Sequence, residues 1–292
     1  MDLITSLDNW YYVSFENGFQ THYNQYQHNA MSFKQELINA AQSAIDFASS
    51  EKLSLFFSGG LESDLLLKSL IELKYKPNIF IFRYEDDINL YDVSYAITLC
   101  SAYNLPYKII DFNLKKFFFN EAVDISDKAG IDRPRALPYC KFLELVDGVP
   151  ILGRGEPNLI KENNQWIQRC HEYDVGRIRY AHCIGKKSIP EWFKWTPGLV
   201  ISFLETRWVN NLITNRYSDE TDIHGTKIIG YREAYPDLLF RNKKTGMEGL
   251  DDLVAEVEQH LYKKNQGFKY RGTHDRDVLV WYKELSGKNL LW

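Results

Sequence analysis

The hydrophobic period of this chain changes partway through Leu53 to Leu73, LSLFFSGGLESDLLLKSLIEL. A continuous apolar run, Leu53 to Phe57, stops at Ser58-Gly59-Gly60, and after the polar step Glu62-Ser63-Asp64 the apolar residues return at helical spacing. A short continuous run suits a buried strand and 3.6-residue spacing suits a helix, so the segment predicts strand, glycine turn and helix. The alternation then repeats. Asn78 to Tyr84 (NIFIFRY) predicts a second strand, Leu90 to Tyr103 a helix with Val93, Ala96, Ile97 and Cys100 on one face, and Tyr107 to Asp111 a third strand. Asp147-Gly148 turns into a fourth strand, Val149 to Leu152, which ends in Gly153-Arg154-Gly155-Glu156-Pro157. Strands and helices in this order predict an α/β fold, a parallel, doubly wound sheet covered by helices on both faces.

The flanks read differently. Asn9 to Phe15 predicts a short aromatic strand, and Ser32 with Gln35 a capping box before a helix that places Phe33, Leu37, Ala41, Ala44 and Ile45 on one face. Downstream the alternation weakens. Trp192 to Ile213 predicts helix, with Pro190 and Pro197 breaking its start, and Gly225 to Tyr231 predicts a short strand. Leu250, Leu253, Val254, Val257 and Leu261 mark an amphipathic helix, and Val278, Leu279, Trp281 and Tyr282 a last one. The expected organisation is an extension over 1–50, a core over 51–160 and a mostly helical cap over 161–292 that chooses the substrate.

A glycine turn that opens a helix presents backbone N–H groups and the positive helix end to an anion. Gly59 and Gly60 allow close approach of a phosphate, and the hydroxyls of Ser58 and Ser63 add donors. There is no G-x-x-x-x-G-K-[ST] and no G-x-G-x-x-G at the helix start, so neither a Walker A loop nor a dinucleotide fingerprint is present. Ser58-Gly59-Gly60-Leu61-Glu62-Ser63 instead resembles the S-G-G-x-D-S pyrophosphate loop of the PP-loop ATP pyrophosphatases, with Glu62 standing where that family has Asp. The superfamily includes asparagine, GMP and NAD synthetases, tRNA-lysidine synthetases and deazaguanine synthases. The resemblance covers roughly Leu53 to Ile160 and implies an adenine nucleotide alpha hydrolase-like fold. It also implies ATP and Mg²⁺ as cofactors, attack of a substrate oxygen on the α-phosphate, and release of pyrophosphate.

Ligands of parallel α/β sheets bind beyond the carboxyl ends of the strands, so the Ser58 loop, Arg83-Tyr84, Asp111 and the Gly153–Glu156 turn are expected to share one crevice. The nucleotide contacts expected there are Ser58, Gly59, Gly60, Leu61, Glu62, Ser63, Arg83, Tyr84, Gly153 and Gly155. Glu62 and Asp111 are the candidate Mg²⁺ ligands. The segment PILGRGEP, Pro150 to Pro157, resembles the G-x-G loop that closes the fourth strand of the asparagine synthetase domain, which makes Glu156 the candidate acid beside the α-phosphate. Asn158-Leu159-Ile160 replaces the acidic D-E-L-F-G-G run of those enzymes. Arg154 and Lys141, with Arg133 and Arg135 nearby, are candidates to offset negative charge where the triphosphate breaks. Lys243 and Lys244, in a glycine-bounded loop, offer a lid or a solvated hairpin tip.

Composition narrows the partners. The 292 residues are 45% hydrophobic and 25% charged, which is globular, and a net charge of -4 supplies no overall field for nucleic acid. Arg169, Arg177, Arg179, Lys186 and Lys187, interleaved with Tyr173 and Tyr180, keep tRNA open as an alternative partner to a small-molecule substrate. No apolar stretch approaches a membrane span, and MDLITSLDNW lacks a signal peptide's apolar region. The four cysteines form no C-x-x-C and no zinc spacing, and a cytoplasmic setting is expected. Asp2 stands where a glutaminase would need its nucleophilic cysteine. The reading is an AMP-forming ligase, asparagine synthetase-like without a glutaminase domain. A tRNA- or nucleobase-modifying PP-loop enzyme and a non-catalytic nucleotide-binding scaffold are the alternatives. The motifs specify neither the acceptor nor an oligomeric state.

Overall fold

The computed structural model describes residues 3–4, 10–14, 20–131, 133–214, 216, 226–240, 251–264 and 273–289. Strands β1 (Leu3–Ile4), β2 (Tyr11–Ser14) and β3 (Gln20–Tyr23) form a small antiparallel sheet in that order. Helix α1 (Phe33–Ala48) follows. Ser32 Oγ accepts from the Gln35 N–H at 3.4 Å, as a cap should, but the return bond comes from Glu36, whose Oε1 accepts from the Met31 N–H at 2.8 Å. The Gln35 amide turns to Asn39 instead.

The alternating region folds into β4 (Leu53–Phe56), α2 (Leu61–Glu72), β5 (Asn78–Tyr84), α3 (Leu90–Ala102) and β6 (Tyr107–Phe112). Three helices then cross back, α4 (Leu114–Asn120), α5 (Ala122–Ala129) and α6 (Leu137–Glu144), before β7 (Val149–Leu152). The four strands pair in parallel in the order β6-β5-β4-β7. Strand side chains alternate between faces, and that alternation divides the interior in two. Leu53, Leu55, Phe57, Ile79, Ile81, Val149 and Ile151 enter one core with α1, α2 and α3. Phe56, Phe80 and Leu152 enter a second core with α4, α5 and α6. With both faces covered, the sheet is the expected parallel α/β layer. Burying each large apolar side chain contributes roughly 1.5–3 kcal/mol, which commits the register of every strand.

The region beyond the core is not only helical. β8 (Asn158–Glu162) and β9 (Gln165–His171) form a hairpin around Asn163-Asn164, whose φ values of 48° and 64° suit a two-residue turn of the mirror type. Helix α7 (Glu172–Cys183) comes next. The expected helix over Trp192 to Ile213 is a short 3-10 turn at Trp192–Lys194 followed by α8 (Pro197–Leu204) and α9 (Arg207–Ile213). The break between the last two occurs because Thr206 leaves helical geometry and caps α9, its Oγ1 accepting from the Val209 N–H at 3.4 Å.

The predicted strand near Tyr231 is instead helix α10 (Ile228–Ala234), in which Ile228, Tyr231 and Ala234 are buried three residues apart. Gly225, Leu250 and the Lys243-Lys244 loop lie outside the described residues. Helix α11 (Asp251–Lys264), strand β10 (Thr273–Asp277) and helix α12 (Val278–Ser286) complete the chain, with β10 returning antiparallel to β9 in a sheet ordered β10-β9-β8.

Candidate nucleotide site

Because β5 lies on one side of β4 and β7 on the other, the chain leaves β4 and β7 in opposite senses, and a crevice opens at their carboxyl ends. Two glycines make it narrow. A Cβ on Gly153, just after β7, would lie 2.6 Å from Ser63 Cα and 2.7 Å from Glu62 O, so the β7 loop touches the first turn of α2. Gly59 has φ +68°, and a Cβ there would lie 2.7 Å from the Ala96 backbone nitrogen of α3. Gly60 caps α2 in extended geometry and, as a glycine, supplies no side-chain cap. The positive end of α2 therefore faces the crevice without a side-chain cap. Ser63 Oγ donates to Gly60 O at 2.9 Å and lies 3.5 Å from Ser58 Oγ, while Leu61 turns into the core.

The crevice holds a cavity of about 520 Å³. One wall is aromatic, built from Phe56, Phe82, Tyr84, Tyr139 and Phe142, with Phe82 and Phe142 stacked 3.6 Å apart. The other end carries Ser58, Ser63, Glu62, Arg154, Glu156 and Lys227. An apolar slot with a few converging polar groups is the usual form of a small-molecule site, and here it suits a flat ring with a charged tail.

Charge at the polar end centres on Lys227, which the sequence analysis missed. It precedes α10 and donates to Glu62 and, at 3.3 Å, to Glu156. Tyr231, one turn along α10, lies 3.5 Å from the same Glu62 oxygen. The spacing of Ile228, Tyr231 and Ala234 was the available signal, because it is helical and puts Lys227 at the helix start. Burial opposes the Lys227 charge, but Glu156 and Glu62 hold its pKa above the ordinary lysine value. Burial alone would push the Glu156 carboxyl up, yet Lys227, its own backbone N–H and Arg154 hold it below the usual range. The Arg154 guanidinium stacks 4.9 Å over the Tyr139 ring and makes no ion pair among the described residues.

Other expected site residues lie elsewhere. Arg83 and Asp111 are register partners on β5 and β6 and pair with each other at 2.6 Å, Arg83 half-buried and Asp111 exposed, and both are absent from the cavity wall. Strand β6 is the sheet edge, two strands from the β4–β7 gap, so Asp111 does not join Glu62 around one cation. Lys141 turns to Glu121 at 2.8 Å and Glu144 at 2.6 Å. Arg135 does line the cavity and pairs with Asp251 at 2.8 Å. Gly155, at φ +94°, packs against Glu191 and faces a second cavity of about 340 Å³ beyond Arg154, Glu156 and Lys227.

The basic stretch from Arg169 to Lys187 is engaged in separate local contacts, with Arg177 buried and the others half-buried, rather than forming one continuous face. Arg177 is buried against Glu191, Tyr180 is buried on Glu144, Arg169 is held by Glu162 and Asp275, and Lys186 donates to Val146 O. Among the described residues, no three His, Cys, Asp or Glu side chains converge as a metal site.

No protein-family model matches the chain, and no curated protein matches its sequence. Among solved structures it is similar to a predicted subunit of tRNA methyltransferase from Methanocaldococcus jannaschii, with 12% identity, a TM-score of 0.37, and 77% of this chain and 95% of that one covered. It is also similar to NMN synthetase from Francisella tularensis (10%, 0.33, covering 82% and 95%). A third is the NH3-dependent NAD synthetase from Campylobacter jejuni (15%, 0.32, covering 83% and 98%). Likeness at this level carries no argument about function.

Proposed function

We propose that this protein is an AMP-forming ATP pyrophosphatase of the PP-loop type, which adenylates an oxygen of a small-molecule acceptor and passes it to a nitrogen nucleophile. The observation that carries this reading is the open first turn of α2, with the Ser58–Ser63 loop, at the polar end of an aromatic-walled cavity. The adenine would lie against the aromatic wall. The loop amides and the Ser58 and Ser63 hydroxyls would hold the β- and γ-phosphates, leaving the α-phosphorus toward Arg154 and Lys227. The acceptor oxygen bonds to that phosphorus while its bond to the bridging oxygen breaks, and pyrophosphate leaves with the electron pair. The nitrogen nucleophile then displaces AMP. Lys227 and Arg154 stabilise the charge that builds on the phosphates, most strongly in a site that excludes water.

Glu62 and Glu156 converge on one ammonium, and the same two carboxylates would be the residues to hold Mg²⁺. Bound there, Mg²⁺ would supply further neutralisation of the triphosphate. A Glu156 carboxyl held below its ordinary pKa is a weak proton acceptor, so it suits holding charge better than general-base work. The asparagine synthetase-like layout, with nitrogen supplied from outside the chain, is the finer form of this proposal. Internal pairing of the basic stretch favours a small acceptor over tRNA. The test is to incubate α-labelled ATP and Mg²⁺ with candidate acceptors and separate the nucleotides. AMP and pyrophosphate, stimulated by the acceptor, are expected. ADP as the only product rejects the mechanism, and no turnover with ATP bound favours the scaffold.

A further inference from the structure

The segment after α7 runs back along β7. The Ile189 N–H donates to Pro150 O at 2.8 Å, the Leu152 N–H to Ile189 O at 3.0 Å, and the Phe193 N–H to Arg154 O at 2.8 Å. These bonds hold Glu191 and Lys194 against the Gly153–Glu156 loop, and the second cavity lies among them, β9 and the start of α7. Most of its cations are engaged. Arg169 pairs with Asp275 at 2.6 Å and Glu162 at 2.8 Å, Lys227 bridges Glu62 and Glu156, and Arg154, without an ion pair among the described residues, stacks on the Tyr139 ring.

Lys194 differs. It is only 3% exposed, lines the cavity, and makes no ion pair or side-chain hydrogen bond among the described residues. The Tyr11 ring lies 5.6 Å from its ammonium. Burial opposes this charge, but Cys170, Tyr23, Asp174 and Glu191 hold its pKa above the ordinary lysine value. An ammonium that reaches the cavity from a side chain this buried, with no hydrogen-bonding partner among the described residues, is poorly solvated, and an anion in the cavity would relieve that cost.

The walls also indicate which anion. Glu156, Asp174 and Glu191 line this space beside Arg154, Arg169, Lys194 and Lys227. Among the described residues, three carboxylates against four cations leave one net positive charge, which matches a monoanion better than a dianion. The start of α7 offers no phosphate seat, because the His171 side chain and the Asp174 carboxylate close it in a capping box. We propose that the second cavity is the acceptor pocket and that Lys194 anchors a carboxylate of the acceptor, whose reacting oxygen reaches toward Glu156 and Lys227 at the boundary with the first cavity. This rests on the adenylation reading above. The acceptor is then a small carboxylic acid whose other polar groups are neutral or cationic.

Trp208 lines the same cavity and reports on it. Titration of the full chain with small carboxylates of two to six carbons, with alcohols of matching length and with inorganic phosphate, followed by tryptophan fluorescence and calorimetry, tests the pocket. Saturable carboxylate binding is expected, with its fluorescence signal lost in Trp208→Phe but its heat retained. Lys194→Met should weaken it about 10- to 100-fold, as loss of a charge-assisted hydrogen bond does. The same variant should keep its thermal midpoint, since it removes an unpaired buried charge, and Lys194→Gln serves if Lys194→Met does not fold. Preferential phosphate binding, no carboxylate binding, or equal binding by a folded Lys194 variant would overturn the proposal. ATP binding is measured separately by equilibrium dialysis. If ATP binds and no carboxylate does, only this inference fails; if carboxylate binds and ATP does not, the adenylation reading and the acceptor role fail together.

Discussion

Gly153→Ala places one methyl group between the β7 loop and the first turn of α2. Gly153 lies outside the left-handed region, so alanine brings no backbone strain there; the added atom is the whole perturbation. Its Cβ would lie 2.6 Å from Ser63 Cα, 2.7 Å from Glu62 O and 2.8 Å from Ser63 N, all backbone atoms that cannot swing aside. Carbon atoms in contact sit about 3.5 Å apart or more, so the start of α2 must retreat by about 0.9 Å or the loop must give way equally. Overpacking of this kind costs about 1–3 kcal/mol. A displacement near 1 Å of groups that align a substrate costs about 10²-fold in rate.

The control is Gly185→Ala. Gly185 has φ +64°, and a methyl group there would meet nothing within 4 Å, so alanine adds left-handed strain of about 1–2 kcal/mol and no crowding. Both variants should melt a few degrees early in calorimetry, at about 2–4 °C per kcal/mol. Only Gly153→Ala should lose ATP affinity and AMP formation. Wild-type affinity and turnover in Gly153→Ala, or equal losses in Gly185→Ala, would refute the placement of the nucleotide in this crevice.

Lys227→Met leaves Glu62 and Glu156, 18% and 29% exposed, facing each other without their shared cation. A fully buried broken pair costs about 3–5 kcal/mol; partial exposure reduces that to about 1–3 kcal/mol, and AMP formation should fall as well. In the wild type Glu156 titrates below its unfolded-state value, so its stabilisation is complete above about pH 4.5 and is lost as pH falls through the folded pKa. A thermal midpoint against pH should show this acid limb shrink in Lys227→Met, because without the cation, burial raises the folded pKa of Glu156 toward its unfolded value; an unchanged limb would reject the network. Asp111→Asn should leave ATP binding and Mg²⁺ dependence unchanged, because Asp111 pairs with Arg83 at the sheet edge, away from the cavity; a raised Mg²⁺ requirement would restore it as a ligand. A thiol reagent at neutral pH should label exposed Cys183 and spare Cys100, Cys140 and Cys170, whose thiols burial pushes up to about 11, 12 and 11. Rapid labelling of a second thiol in the native protein would contradict the packing of the cores.

Local pattern alone was enough for the four parallel strands and for α2 and α3, because period and turn chemistry act over a few residues, but not for α4 and α5. Asn78–Tyr84 and Val149–Leu152 were readable to the residue, as was the Ser58–Ser63 loop between strand and helix. The Asn163-Asn164 turn carried a hairpin signal that went unread. Strand β10, THDRD, carried none: its four charged or ionisable side chains form a strand only because β9 supplies backbone partners and Arg169 meets Asp275 across 106 positions of sequence. The site divides in the same way. Ser58, Gly153, Arg154 and Glu156 follow from strand ends, which sequence period reveals. Sequence could not decide that Asp111 sits at the sheet edge, since strand order depends on which strands bury each other's faces. Nor could it bring Lys227 onto Glu62, 165 positions away, or set Lys194 in the second cavity beside Glu156. Those placements depend on how helices from distant parts of the chain pack against the sheet, and packing is a property of the whole fold.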